Sequence, residues 1–153
     1  MKISSNIKRL WTKSMVINLF LLTTIAVKRV LDIGYSKLIQ NTFSSCGRNF
    51  KCRSGCHFRF NKNITLGNNV FLGSKVYFDS ETADSCFLHL HDNVQINDDV
   101  KIDFSGGVTI GENALISSDV IIYSHSHGYN PRSQPLPGEL YIDKNVWIGS
   151  RVL

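Results

Sequence analysis

Two histidines one residue apart, His125 and His127, stand near the start of a segment, YSHSHGYNPRSQPLPGELY (residues 123–141), that is rich in proline, glycine and polar side chains. A segment of that composition leaves regular structure as a loop. The root of such a loop is still held by the rigid element it departs from, which is where a reacting group is best placed. An imidazole at that root titrates near neutral pH and can take and return a proton during a reaction. Along an extended chain His127 falls on the same side as His125, as a substitute base or a substrate contact. The four cysteines, Cys46, Cys52, Cys56 and Cys86, are the other candidates for chemistry, with His57 next to Cys56. Their spacing is irregular for a zinc site, and no cleavable leader supports a disulfide framework. Reduced, buried thiols at the start of the fold are expected.

The elements that must position His125 are legible as a repeat. Phe60, Leu66, Leu72, Phe78, Asp84, Leu90, Ile96 and Ile102 follow one another every six residues, with Asp84 alone breaking the apolar rule. Ile64, Val70, Val76, Leu88, Val94 and Val100 keep the same period. A step of eight across Ser105-Gly106-Gly107 restarts the series at Ile110, Ile116 and Ile122, and after twenty residues it returns at Ile142 and Ile148. Period six is neither helical nor a two-fold alternation; it is an internal repeat. Each hexad supplies a short strand with a large inward aliphatic residue, and a turn of Gly, Asn or Asp that tolerates left-handed backbone. Three hexads make a coil, and coils stack about 4.8 Å apart, each burying its apolar residue against its neighbours. The fold class is therefore all-β, a parallel β-solenoid preceded by an N-terminal α-helix.

These hexads, with the tail IIYSHSHG…VWIGSRVL, resemble the hexapeptide-repeat acyltransferases of the left-handed β-helix class. Within that class they are similar to sugar O-acetyltransferases of the maltose and galactoside type and of O-antigen and capsule synthesis. The resemblance covers residues 58–153, about three-fifths of the chain. It implies a left-handed coil, a homotrimer with sites between subunits, acetyl-CoA as acyl donor and a sugar or glycan as acceptor. It implies that His125 is the general base that takes a proton from the sugar hydroxyl. Counting back one coil from Ile122 places the hexad of Ile102 beneath, with Ser105 beside His125 and Asp103 nearby. The resembling enzymes often carry an acceptor-contacting asparagine on that coil. Asp103 or Ser105 stands in its place here, so both are candidate substrate contacts, together with His127 and Trp147. Ser150 and Arg151 lie on the hexad where the acyl-donor groove of such enzymes begins. Some β-helices bind zinc, but through more widely spaced histidines than His125 and His127; no metal is expected.

The charge divides along the chain. Residues 1–53 hold ten Lys and Arg against Asp32, whereas residues 54–153 hold seven basic and eleven acidic side chains. No nucleic-acid motif accompanies the N-terminal charge, so nucleic acid is not an expected partner. The sequence predicts a basic helical segment over 1–53, a β-helix domain over 54–153 and a loop over 125–141. Residues 15–27, MVINLFLLTTIAV, are apolar and flanked by Lys13 and Lys28. Three readings stay open: a helix resting on an anionic membrane surface, a helix packed on the solenoid or on a partner, and a short span. The helix is expected to end near residue 33, before Gly34. A cytoplasmic protein with peripheral membrane contact through residues 1–33 follows from the first reading.

The sequence stops at Leu153, on the last residue of a hexad, where resembling proteins continue. That predicts a truncated solenoid with an incomplete acyl-donor channel. Two functions are therefore expected in competition: an acetyl-CoA-dependent O-acetyltransferase of surface-polysaccharide synthesis, and an inactive β-helix remnant or oligomerising scaffold.

Overall fold

The structure, a computed structural model, describes residues 5–84, 86–130 and 132–153, with side chains from Met15 onward. The chain enters as one helix, α1 (Ser5–Ile39), and a 3-10 turn over Gln40–Thr42. A first coil of short strands follows: β1 (Ser45–Cys46), β2 (Lys51–Cys52) and β3 (His57–Phe58). The second coil is β4 (Ile64–Leu66), β5 (Phe71–Leu72) and β6 (Tyr77–Asp79). The third is β7 (Leu88–Leu90), β8 (Gln95–Ile96) and β9 (Lys101–Asp103), and the fourth β10 (Val108–Ile110), β11 (Leu115–Ile116) and β12 (Ile121–Tyr123). An antiparallel pair, β13 (His125–Ser126) and β14 (Leu136–Pro137), leaves the wall before β15 (Leu140–Ile142) and β16 (Trp147–Ile148) resume the climb. Like-placed strands stack in parallel into three walls: β1-β4-β7-β10-β15, β2-β5-β8-β11-β16 and β3-β6-β9-β12. This is the parallel β-solenoid the hexads predict.

The repeat works through burial. Leu66, Leu72, Phe78, Leu90, Ile96, Ile102, Ile110 and Ile116 point inward and stack on one another, and Val70, Val76, Val94, Val100 and Val120 fill the corners. At the corner between the first and second walls each coil turns on an asparagine in the left-handed region: Asn49, Asn69, Asn93, Asn113 and Asn145, all near φ +60°. Asparagine tolerates that conformation, and here its side chain has a second task. Each amide donates to the next asparagine's carbonyl, Asn49 to Asn69 at 3.0 Å, Asn69 to Asn93 at 2.9 Å, Asn93 to Asn113 at 3.0 Å and Asn113 to Asn145 at 3.1 Å. The ladder runs the height of the solenoid.

Irregularity gathers at the corner from the third wall to the first. In register, Phe58 precedes Leu66 by eight residues, Phe78 precedes Leu90 by twelve, Ile102 precedes Ile110 by eight and Ile122 precedes Ile142 by twenty. Every coil thus carries its extra residues on one edge, and the loops stack there. Two positions of the hexad series change accordingly. The wall position of the first coil belongs to Phe58, opposite Phe78, while Phe60 sits in the corner at φ 53° with Arg59 over its ring. Asp84 lies in the loop between β6 and β7 and not in the wall.

The N-terminal boundary also moves. The solenoid opens at Ser45, because β1 pairs with β4 and β2 with β5, ahead of the predicted start at residue 54. The helix α1 runs through Gly34 to Ile39, past the expected end near residue 33. A mid-helix glycine costs about 1 kcal/mol, and docking of the last turns outweighs it. Tyr35 donates its hydroxyl to the Cys56 carbonyl at 3.0 Å, Ser36 Oγ accepts the Cys52 N–H at 2.8 Å, and Asp32 accepts the Ser54 N–H at 2.8 Å. Phe43 then plugs the end of the core edge-on to Phe50 and Phe58. These contacts cover the edge of β2, which would otherwise offer unpaired backbone groups. From Met15 to Leu31 the helix leaves the body, and Met15, Val16, Phe20, Leu22, Val30 and Leu31 are each more than half exposed. No helix among the described residues is long and apolar enough to cross a membrane.

Candidate active site

The site forms on the edge where the loops stack. β12 lies on β9 with Ile122 opposite Ile102 and Tyr123 opposite Asp103, so the coil beneath His125 is the one counted from the repeat. Ser124, buried, fixes the departure of the loop. Its N–H and Oγ both donate to the Asp103 carbonyl, at 3.2 and 3.0 Å, its Oγ accepts the Gly106 N–H at 2.9 Å, and its carbonyl accepts the Gly138 N–H at 2.8 Å. The two glycines at this step have a steric reason. A Cβ on Gly106 would run into the Ser124 carbonyl, and Gly107, at φ 91°, would press one into the ring of Phe87.

His125 follows Ser124 with its side chain only 7% exposed. Its Nδ1 lies 2.8 Å from Asp103 Oδ1. A carboxylate accepts only, so Nδ1 carries the hydrogen and Nε2 the lone pair of the neutral ring. The same Asp103 oxygen accepts the Ser105 N–H at 3.0 Å. Ser105 is buried, and its Oγ accepts the Glu81 N–H at 2.8 Å and meets Ser80 Oγ at 3.3 Å. It therefore ties the loop after β6 to the coil above. Through that tie Glu81 reaches the histidines: its Oε1 is 3.3 Å from Nε2 of His125 and 3.3 Å from Nε2 of His127. The His127 ring stands edge-on to that of His125, 5.3 Å between centroids. Its Nδ1 donates to the Ser133 carbonyl at 2.9 Å, and Ser133 Oγ donates back to the His127 carbonyl at 2.8 Å. The Ser133 carbonyl and then the Glu81 carboxylate hold the His127 imidazolium, raising its pKa above the ordinary value.

The fold thus brings His125, His127, Asp103 and Ser105 together, with Asp103 turned to the histidine and Ser105 to the neighbouring loop. It sets Trp147 apart, on the second wall, exposed and donating Nε1–H to Ser117 Oγ at 2.9 Å. Ser150 and Arg151 lie exposed at the following corner, Arg151 at φ 63° with its N–H on the Ser118 carbonyl. Glu81, Ser124 and Ser133 belong to the site and escape the repeat count. The break at Asp84 was the signal for the loop that holds Glu81. Beside His125 a groove of about 550 Å³ crosses the outer face of the third wall, lined by Tyr77, Asp79, Lys101, Asp103, Ile121 and Tyr123.

The cysteines stay apart from this chemistry. All four are free thiols. A hydrogen bond with Cys56 and burial push the Cys52 thiol up. Among the described residues the three-ligand set that converges is Glu81, His125 and His127, with donor atoms within 4.8 Å of one another.

A period-six solenoid with a histidine at the root of its long loop, backed by a carboxylate from the coil beneath, defines a hexapeptide-repeat β-solenoid with a candidate acid–base site. No protein-family model matches the chain. Individual relatives do. Over 113 residues it is 32% identical to WbbJ of Escherichia coli, named as a lipopolysaccharide biosynthesis O-acetyl transferase, covering 65% of this chain and 57% of that protein. Over 118 residues it is 34% identical to a dTDP-4-amino-4,6-dideoxy-D-glucose acyltransferase of Escherichia coli, covering 70% of this chain and 60% of the relative. Among solved structures it superposes on AntD, an N-acyltransferase from Bacillus cereus, crystallised as a mutant in complex with dTDP-4-amino-4,6-dideoxyglucose and coenzyme A. The TM-score is 0.62 at 19% identity, over 75% of this chain and 65% of that one. The chain is a parallel β-solenoid homologous to these acyltransferases, and it spans about three-fifths of the curated relatives it matches.

Proposed function

We propose that the chain carries the base of an acetyl-CoA-dependent O-acetyltransferase that modifies a sugar hydroxyl in surface-polysaccharide synthesis, of O-antigen or capsule. The observation that carries this reading is the 2.8 Å contact between Asp103 Oδ1 and His125 Nδ1. It fixes the ring orientation, leaves Nε2 as the basic atom and stabilises the imidazolium once a proton arrives. His125 Nε2 takes the proton of the sugar hydroxyl as its oxygen attacks the thioester carbonyl; the C–S bond breaks, and the proton passes to the departing thiolate. The acceptor lies in the groove between Tyr77 and Tyr123 with Asp103 on its lining, His127 stands beside His125 at the reacting end, and the buried Ser105 contributes by holding the Glu81 loop. Acetyl-CoA supplies the acyl group. Arg151 offers an exposed cation for its phosphates and Ser150 a hydroxyl, and Trp147 an exposed ring on the same part of the solenoid.

Relatives named as transferases and an intact His125–Asp103 pair favour this reading over an inactive scaffold. A second acceptor class follows from Glu81. Its carboxylate beside Nε2 would pair with an ammonium group, which fits the amino sugars named for one relative and for the solved structure. A homotrimer is expected to complete the donor site. The exposed apolar stretch of α1 from Met15 to Val27, whose apolar residues are spread around the helix, with Lys28 and Arg29 directly after it, is proposed to contact an anionic membrane at the cytoplasmic face. Incubating the protein with acetyl-CoA and hydroxyl or amino sugars, while following free thiol, tests the reading. Acceptor-dependent thiol release that His125→Ala abolishes is expected; none from the wild type, or equal release from the variant, rejects it.

A further inference from the structure

We propose that Glu81, His125 and His127 form a binding site for one divalent first-row transition ion of the zinc class. Asp103 and the Ser133 carbonyl are acceptors, so each histidine places its hydrogen on Nδ1 and, when neutral, turns a lone pair on Nε2 toward Glu81. With both rings neutral, two lone pairs and a carboxylate oxygen face one point, an arrangement relieved either by a proton on His127 or by a metal cation held between the three donors.

The spacing suits a metal. Glu81 Oε1 is 3.3 Å from each Nε2. A tetrahedral zinc with bonds of about 2.0–2.1 Å keeps its donors about 3.3 Å apart. The third separation lies within 4.8 Å, so an ion would draw the partly exposed His127 ring toward His125. The outer contacts are those that metal-bound histidines use: a carboxylate behind one ring and a backbone carbonyl behind the other, both fixing Nε2 as the ligand. Two imidazoles and a carboxylate suit zinc, cobalt or nickel and not calcium or magnesium, which select oxygen. Three protein ligands leave a fourth position for water. An ion there uses the Nε2 lone pair of His125, so it competes with any proton transfer by that atom.

The site is tested on the purified full chain, stripped with a chelator and dialysed. Cobalt chloride is titrated while visible absorption is followed, and zinc chloride is then added to displace it. One cobalt per chain with a d–d spectrum that zinc abolishes is expected, with affinity falling as pH is lowered and the imidazoles protonate. Glu81→Gln and His127→Asn should each weaken binding more than about tenfold, and Asp103→Asn by about 10–100-fold through the outer contact. Circular dichroism and thermal melting show that the variants are folded. The proposal is overturned by failure of the wild type to take up either ion. It is equally overturned by undiminished binding in a Glu81→Gln/His127→Asn double variant, or by binding that Cys52→Ser/Cys56→Ser removes. None of these readouts depends on acyl transfer, so the site stands or falls apart from the enzymatic reading.

Discussion

Asp103 and His125 meet at 2.8 Å across the step from one coil to the next, the aspartate at the end of β9 and the histidine just past the end of β12. Twenty residues separate Ile102 from Ile122, and their register alone brings the pair together. The carboxylate is therefore a positioning group for the ring. Asp103→Ala should lower kcat in the thiol-release assay by about a hundredfold, within the range of general-base contributions, with a smaller change in KM for the acceptor. A change confined to KM would make Asp103 a sugar contact instead.

His125 and His127 sit together but differ in setting, one behind Asp103 and nearly buried, the other on the Ser133 carbonyl and partly exposed. His125→Ala should cost about 10²–10⁴-fold in kcat, and His127→Ala much less. The ranking is checked by measuring both variants against the same acceptor. Equal losses would assign the base to the pair.

How much of this was legible follows from where the repeat is regular. Leu66, Leu72, Leu90, Ile96 and Ile102 announce their burial because period six allows little else, and the count through Gly106-Gly107 finds Asp103 and Ser105 beneath His125. Glu81 was hidden by a coincidence of length. Its loop adds six residues to the third coil, one hexad, so the series passes through it unbroken except at Asp84. The same kind of insertion moved the first wall residue from Phe60 to Phe58. The asparagine ladder was half visible, as turn residues; that their amides join depends on stacking, which no single hexad records. The end of α1 was misplaced because Gly34 reads as a stop, whereas Ser36 and Tyr35 make their contacts with the coil only in the folded chain.

Wall and loop positions in the same hexad series should separate on mutation. Ile102 is fully buried, and Ile102→Ala should destabilise by about 2–5 kcal/mol. Asp84 lies exposed in the loop, and Asp84→Ala should stay within about 0.5 kcal/mol. Urea unfolding midpoints of the two variants decide it; a comparable loss at Asp84 would put that residue back in the wall.

The ladder predicts a cost at an exposed position. Asn93 takes one amide bond from Asn69, gives one to Asn113 and holds φ 60°. Replacement by alanine removes both bonds and leaves a Cβ in left-handed backbone, which should cost about 1–3 kcal/mol. Asn93→Gly keeps the backbone conformation and removes only the bonds, so its melting temperature should fall between those of the wild type and Asn93→Ala. If the glycine variant melts lower than the alanine variant, the left-handed strain assigned to this position is wrong.

The Ser133 carbonyl and Glu81 favour protonated His127 in the folded chain and raise its pKa. A group whose folded pKa exceeds its unfolded value of about 6.5 contributes stability that is fully present below that value and is lost as pH rises through the folded pKa. The pairing of β13 with β14 should therefore loosen across that interval on the alkaline side of 6.5, the contribution being modest for a partly exposed ring. Glu81→Gln should move the His127 midpoint down toward the ordinary imidazole value without reaching it, because the contact with the Ser133 carbonyl remains. The Cε1–H resonance of His127, followed by NMR against pH in wild type and variant, measures both midpoints. A midpoint unchanged or raised in Glu81→Gln would show that the carboxylate does not hold this ring in solution.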